Sequence, residues 1–404
     1  MYFYDGKDTD MGKNKIVLNA LKYALFGVKD FIPGDTDWSE IYKELRIQTV
    51  QNLICPICGE LPGFTEENRQ CWINSARVSV SSYFKILKAQ QNTVELLRKN
   101  DIRSVVLKGT AAAMYYPYPE YRTMGDIDLL IEQGRAKEAA ELLLENGYDI
   151  SIPLELSSRH YNLKKDGTEF ELHMHFSSFE NSELSKYLDE ILFNAMDDIR
   201  TAESYNYKFP VFPSLENGVV LLCHINHHLQ GGLGLRQVCD WIMYVSRVLD
   251  DKFWNQYFQP VASRLRLEKM AVTFAHIGQM YLGLPKENYT WCLRADEELC
   301  DKILDFVFRS GNFGGNKDNL IHIDNTFISL KKQNIFSLLQ ERGELNFAGT
   351  ISKHPWIKPF IWIPQSFRTA GRGLHVFKHV NNLSRSRKEV EDRLILMKKI
   401  GRQD

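Results

Sequence analysis

Asp126 and Asp128 stand two positions apart in the run Asp126-Ile127-Asp128-Leu129-Leu130-Ile131. The alternation reads as a β-strand that turns Ile127, Leu129 and Ile131 toward a core and both carboxylates toward the other face. Two carboxylates this close repel each other unless a positive charge lies between them. Mg²⁺ is the ordinary solution, because it takes oxygen ligands and is commonly held by one or two carboxylates plus substrate phosphates. Upstream, residues 105–107 form an apolar run that reads as a buried strand, which Lys108-Gly109-Thr110 break before Ala111-Ala112-Ala113-Met114 open a helix. Glycine lets the backbone approach a ligand closely, and a helix N-terminus offers N–H groups to a phosphate. Lys108 either meets that phosphate or faces solvent beside the turn. Asp-x-Asp and Gly-Thr each recur for purely structural reasons, so neither motif alone fixes a function.

In combination they carry a resemblance. The turn Leu107-Lys108-Gly109, Arg122 and the run 126–130 resemble the nucleotidyltransferase superfamily, and within it most closely the poorly characterised bacterial branch of uncharacterised nucleotidyltransferases. The superfamily pattern is Gly-Ser or a variant, a spacer, Asp-x-Asp, then a third carboxylate on a later strand. Thr110 stands where Ser is usual and keeps the hydroxyl. Gly109 and Thr110 are thereby implied to hold a triphosphate.

Asp166-Gly167 between two alternating runs is a hairpin signal. In the second run Phe170, Leu172, Met174 and Phe176 share one face, and Glu169, Glu171, His173 and His175 share the other. The resemblance places the third acid at Glu171, in the segment Glu171-Leu172-His173. Three carboxylates on neighbouring strands imply two Mg²⁺ ions that orient the triphosphate and polarise an attacking hydroxyl. His173 is expected as a contact beside the site; the plain alternative is a surface histidine. His228, Arg236 and Asp240 match a His, a Gly-rich turn and a Leu-Arg segment with an Asp in the same branch, which implies a role in the nucleotide or acceptor pocket. The competing reading is an Arg236–Asp240 helix pair bracing the turn. Arg122 reads equally as a phosphate contact and as a salt bridge to a nearby acid. Tyr115, Tyr116, Tyr118 and Tyr121 read either as a platform that stacks on a base or, preferred, as packing in a Pro-rich connection.

The elements that must position these residues follow from periodicity. Helices are expected over 16–26, from Asp35-Thr36-Asp37-Trp38 to about 53, over 66–99, 135–144, 182–196 and, capped by Ser214, over 215–229. The expected fold class is α+β: a nucleotidyltransferase-type mixed sheet with helices on one side in residues 101–210, an N-terminal helical region in 1–100, and a C-terminal helical domain with a basic tail in 211–404. The basic tail could meet a membrane surface or an anionic partner, but a packed helix with a solvated face is preferred. His224 and His228 form an i, i+4 pair without a third ligand, which argues against zinc. Cys55 and Cys58 have knuckle spacing but no second pair, so the seven cysteines read as free thiols. A net charge of −1 gives no electrostatic footprint for nucleic acid. No apolar stretch or leader pattern points to a membrane, and the expected location is the cytoplasm.

The expected function is metal-dependent transfer of a nucleoside monophosphate from an NTP, ATP included, to a hydroxyl of a small molecule, sugar or protein. The alternative is a non-catalytic nucleotide-binding or regulatory module that keeps the fold. An RNA-directed transferase is disfavoured by the neutral charge.

Overall fold

Asp166 and Gly167 both take positive φ, 49° and 73°, the backbone a two-residue hairpin turn demands. They join strands His160–Lys165 (β4) and Thr168–His173 (β5) in register, Lys165 facing Thr168 and His160 facing His173. In this computed structural model the described residues are 8–150, 152–154, 159–176, 179 and 182–312, with 339–340, 343–344, 347, 350–351, 354–368 and 394–401 farther on. Within the basic tail, Arg372, Lys378, Arg385, Arg387, Lys388, Arg393 and Arg402 lie outside them.

The hairpin is one side of a seven-stranded mixed sheet of order β3-β4-β5-β2-β1-β7-β6. The other strands are β1 (Ser104–Val106), β2 (Ile127–Ile131), β3 (Asp149–Ile150), β6 (Arg200–Ser204) and β7 (Tyr207–Val211). β2 lies near the middle, antiparallel to β1 and parallel to β5, with Asp128 facing Glu171 across the parallel pair. All five β2 residues are buried, so helices cover both faces of the central sheet rather than the one side expected. Ile127, Leu129 and Ile131 pack with Ile86, Leu87 and Leu97 of the helix Glu66–Lys99 and with Ala139, Ala140 and Leu143 of the helix Ala136–Glu145. Leu130 and Val105, on the opposite face, belong to a larger core with Leu188, Leu192, Phe212 and Val219.

The 34-residue helix Glu66–Lys99 coincides with the expected span. Thr65 and Asn68 close its start as a reciprocal capping box, and Arg98 and Lys99 lie in its last turn, where cations suit the dipole. The helix Trp38–Ile47 is capped by Asp37, whose carboxylate accepts from the Ser39 and Glu40 amides. It ends six residues short of the expected 53: Thr49 turns to φ 56°, and Gln51–Glu60 is a 3₁₀ segment around Pro56. The helix Ser214–Gly231 follows Pro213, which offers no side-chain cap, so Ser214 is the first helical residue and not the cap. It leads into Leu235–Val248.

Gln48, fully buried, accepts from the Leu235 amide at 3.0 Å. Its own amide lies 3.4 and 3.3 Å from the carbonyls of Val307 and Phe308, at the end of the helix Glu297–Ser310. The N-terminal helices thus share one apolar core with the C-terminal ones, and no helix among the described residues is long and apolar enough to cross a membrane.

Candidate active site

Parallel pairing of β2 with β5 sets Asp128 directly opposite Glu171. Asp126, just before β2, completes a group of three carboxylates whose ligand oxygens lie within 4.8 Å of one another. Asp128 is 2% exposed, whereas Asp126 and Glu171 are partly open. Such a set needs cationic company. The Lys108 ammonium stands 3.0 Å from Asp128 Oδ1 and 4.0 Å from Asp126 Oδ2. The His173 Nε2 is 3.0 Å from the same Asp128 oxygen and 3.3 Å from Glu171 Oε2.

Burial lowers the pKa of the Lys108 ammonium, but Asp128, Asp126 and Glu171 outweigh it and raise it. The same contest, burial against Asp128 and Glu171, raises His173. The hydrogen bond from His173, aided by Lys108 and opposed by burial, holds Glu171 down at about 2. The site is therefore a cluster of three carboxylates partly offset by Lys108 and His173, which stand where a divalent cation would draw the same oxygens. The all-oxygen donor set of Asp126, Asp128 and Glu171 fits Mg²⁺.

Gly109 lies at the mouth of this cluster with φ 61° and ψ −109°, a conformation that side chains resist. A Cβ there would come no nearer than 3.7 Å to the Asp126 carbonyl, so the glycine answers a backbone need and not a crowded one. The helix that follows is short, Thr110–Ala113. Thr110 is buried, and its hydroxyl donates to the Gln90 side-chain oxygen at 2.7 Å. That hydroxyl is committed to the long helix, which leaves the backbone around Gly109 and the Lys108 amine facing the acids.

Arg122 resolves as a salt bridge. Its Nε and a terminal nitrogen each donate at 2.6 Å to the two oxygens of Asp240, and Tyr116 donates to the same carboxylate at 2.8 Å. This bidentate pair is buried, and Asp240 sits on the helix Leu235–Val248. Asp240 therefore pairs with Arg122 and not with Arg236 one turn away. Arg236 reaches the Thr123 carbonyl at 3.3 Å, its Nε has no hydrogen-bond partner, and burial followed by the nearby Arg122 charge lowers its pKa. His228 shares a 2.8 Å Nε2–Nε2 contact with His224, and burial, then His227 and Lys108, bring it down to about 3. The structure thus gathers Lys108, Gly109, Asp126, Asp128, Glu171 and His173, and commits Arg122 and Asp240 to each other.

His175 turns instead to Asp189, at 2.9 Å. Cys55 and Cys58 are free, and burial pushes the Cys55 thiol up to about 12. No metal-holding group among the described residues includes either cysteine.

One residue at the site escaped the sequence reading. His160 lies 3.8 Å from Glu171 through its Nε2. The signal was available: a two-residue turn at 166–167 makes each residue of β4 face the one equally far across it, which sets His160 against His173.

The profile of the uncharacterised nucleotidyltransferase family matches residues 34–283, well over half of the chain. The chain belongs to this family. Family membership brings nucleotidyl-transfer chemistry and a nucleotide substrate into view, and the matched span contains every residue of the acidic site. Among solved structures, an antigenic nucleotidyltransferase-like protein from Paracoccidioides brasiliensis is 15% identical, with a TM-score of 0.32 over 51% of this chain and 96% of that one. No curated protein matches the chain.

Proposed function

We propose that the protein transfers a nucleoside monophosphate from an NTP to a hydroxyl acceptor, with Mg²⁺ held by Asp126, Asp128 and Glu171. The observation that carries this reading is the meeting of three carboxylates on adjacent parallel strands with Gly109 and Lys108 at their edge. When bound, Mg²⁺ supplies charge neutralisation of the triphosphate and polarisation of the attacking oxygen. The chain does the rest. Backbone at Gly109 admits the phosphates closely. The Lys108 ammonium, 3.0 Å from Asp128, would pair with a phosphate oxygen. The acceptor hydroxyl oxygen bonds to the α-phosphorus as the bond to pyrophosphate breaks, and its proton passes to one of the site carboxylates. The acceptor is a small molecule, sugar or protein, and Arg236 and His228 line the approach as nucleotide or acceptor contacts.

Calorimetric binding of each of the four NTPs with Mg²⁺, to the wild type and to Asp126→Asn/Asp128→Asn, tests the reading. Expected is metal-dependent binding of at least one NTP that the double variant loses. Equal binding by both proteins, or none by either, sinks the proposal.

A second reading has its own support. Lys108 and His173 already neutralise Asp128 without a metal, as a non-catalytic nucleotide-binding module would allow. Tight NTP binding with no pyrophosphate released in the presence of varied hydroxyl acceptors would favour it.

A further inference from the structure

We infer that His160, Glu171 and His173 form a second cation site, suited to Zn²⁺ or Co²⁺ rather than Mg²⁺, and joined to the acidic site by the shared Glu171 carboxylate. One ligand atom from each of these residues lies within 4.8 Å of the others. Glu171 Oε2 is 3.3 Å from His173 Nε2, and Glu171 Oε1 is 3.8 Å from His160 Nε2. Tetrahedral Zn²⁺ with bonds of about 2.0–2.1 Å sets its ligands roughly 3.4 Å apart. With one donor atom from each residue inside 4.8 Å of the others, the three side chains must draw in by up to about 1.4 Å to close on an ion.

The donor chemistry separates this site from its neighbour. Two imidazoles and one carboxylate favour borderline transition metals, whereas three carboxylates favour Mg²⁺. The scaffold is equally specific. His160 and His173 are direct cross-strand partners, Glu171 precedes His173 by two residues on the same face of β5, and the Asp166-Gly167 turn fixes that register. The two rings stand with centroids 5.2 Å apart, tilted by 45°. The His160 side chain is 32% exposed, which gives an ion a route from solvent.

A second observation concerns His173. Its single Nε2 faces carboxylate oxygens of both Asp128 and Glu171. One ring nitrogen carries at most one proton and makes one strong hydrogen bond. A cation on the Glu171 side would take the place of the Nε2 proton, which leaves to solvent, and engage that nitrogen and Oε2 together, so that Asp128 is left to Lys108 and to the acidic site. The Glu171 carboxylate belongs to both groups, and with one oxygen for each ion it would bridge a hard site and a borderline one.

The site requires no nucleotide, so its test stands apart from the test of transferase function. The full-length protein, stripped of metal with chelator, is titrated with Co²⁺ and followed by visible absorption in excess Mg²⁺. Expected is one Co²⁺ bound with the bands of a low-coordinate, nitrogen-ligated ion. His160→Gln weakens it at least tenfold, and Asp126→Asn leaves it within twofold. Unchanged Co²⁺ binding in His160→Gln overturns the site, and so does equal loss in both variants, since the ion would then sit on the acids alone. A second measurement needs no variant. Proton NMR of the Co²⁺-loaded wild type should show two strongly shifted, solvent-exchangeable imidazole N–H signals, and their absence also overturns it.

Discussion

Lys108 holds the position a cation would compete for, and that rivalry has a measurable sign. Its ammonium, 3.0 Å from Asp128, must leave before a metal can use that oxygen fully. Lys108→Gln should therefore bind Mg²⁺ several-fold more tightly than the wild type in the absence of nucleotide, and NTP more weakly, by calorimetry. Weaker Mg²⁺ binding would mean that the lysine supports the metal instead of displacing it. His228 makes a separate prediction about pH. Burial lowers its pKa from the ordinary 6.5 to about 3 in the fold. As pH falls below 6.5 the unfolded chain takes a proton that the folded chain refuses until about pH 3, so stability is highest above that window and is lost on descending through it. The slope from one such proton is about 1.4 kcal/mol per pH unit. Urea midpoints measured between pH 7.5 and 4 should fall less steeply in His228→Gln than in the wild type.

At the scale of elements, the turn at Gly109 and the hairpin of β4 and β5 do the positioning. Gly109→Ala meets no steric wall, but it forces a side chain to φ 61°, at a cost of about 1–2 kcal/mol. Chemical denaturation should register that loss, and NTP binding should weaken as the turn relaxes away from the acids. These elements were the most legible part of the sequence. Alternation in 126–131 and 168–173 gave both carboxylate faces, and Asp166-Gly167 gave the turn, because a strand's period and a hairpin's backbone are local properties. Contacts across the sheet were not legible. Thr110 spends its hydroxyl on Gln90, and Arg122 spends its guanidinium on an acid 118 residues away. Nothing in the neighbourhood of either residue reports such a partner. The second covered face of the sheet was hidden for the same reason, since Val105 and Leu130 sit under helices that periodicity alone does not aim.

For the molecule as a whole, the Arg122–Asp240 pair fastens the connection between the two motifs to the C-terminal helices. Asp240→Ala leaves a buried guanidinium and the Tyr116 hydroxyl without their acceptor. Breaking such a pair from one side costs about 3–5 kcal/mol. Arg122→Met/Asp240→Leu should recover most of that stability in the same denaturation assay, because the burial penalty leaves with both charges. The order of strands in the sheet has a consequence in time. Asp126 and Asp128 are made early, but β2 acquires its parallel partner only when β5 has been synthesised, and β1 gains β7 only once residue 211 is available. The helix that seats Asp240 comes later still. On the ribosome, then, the 45 residues from Asp128 to His173 must be made before the acids meet their histidine, and until then Lys108 is the one cation of the cluster already synthesised. The three carboxylates come together only when β5 closes on β2.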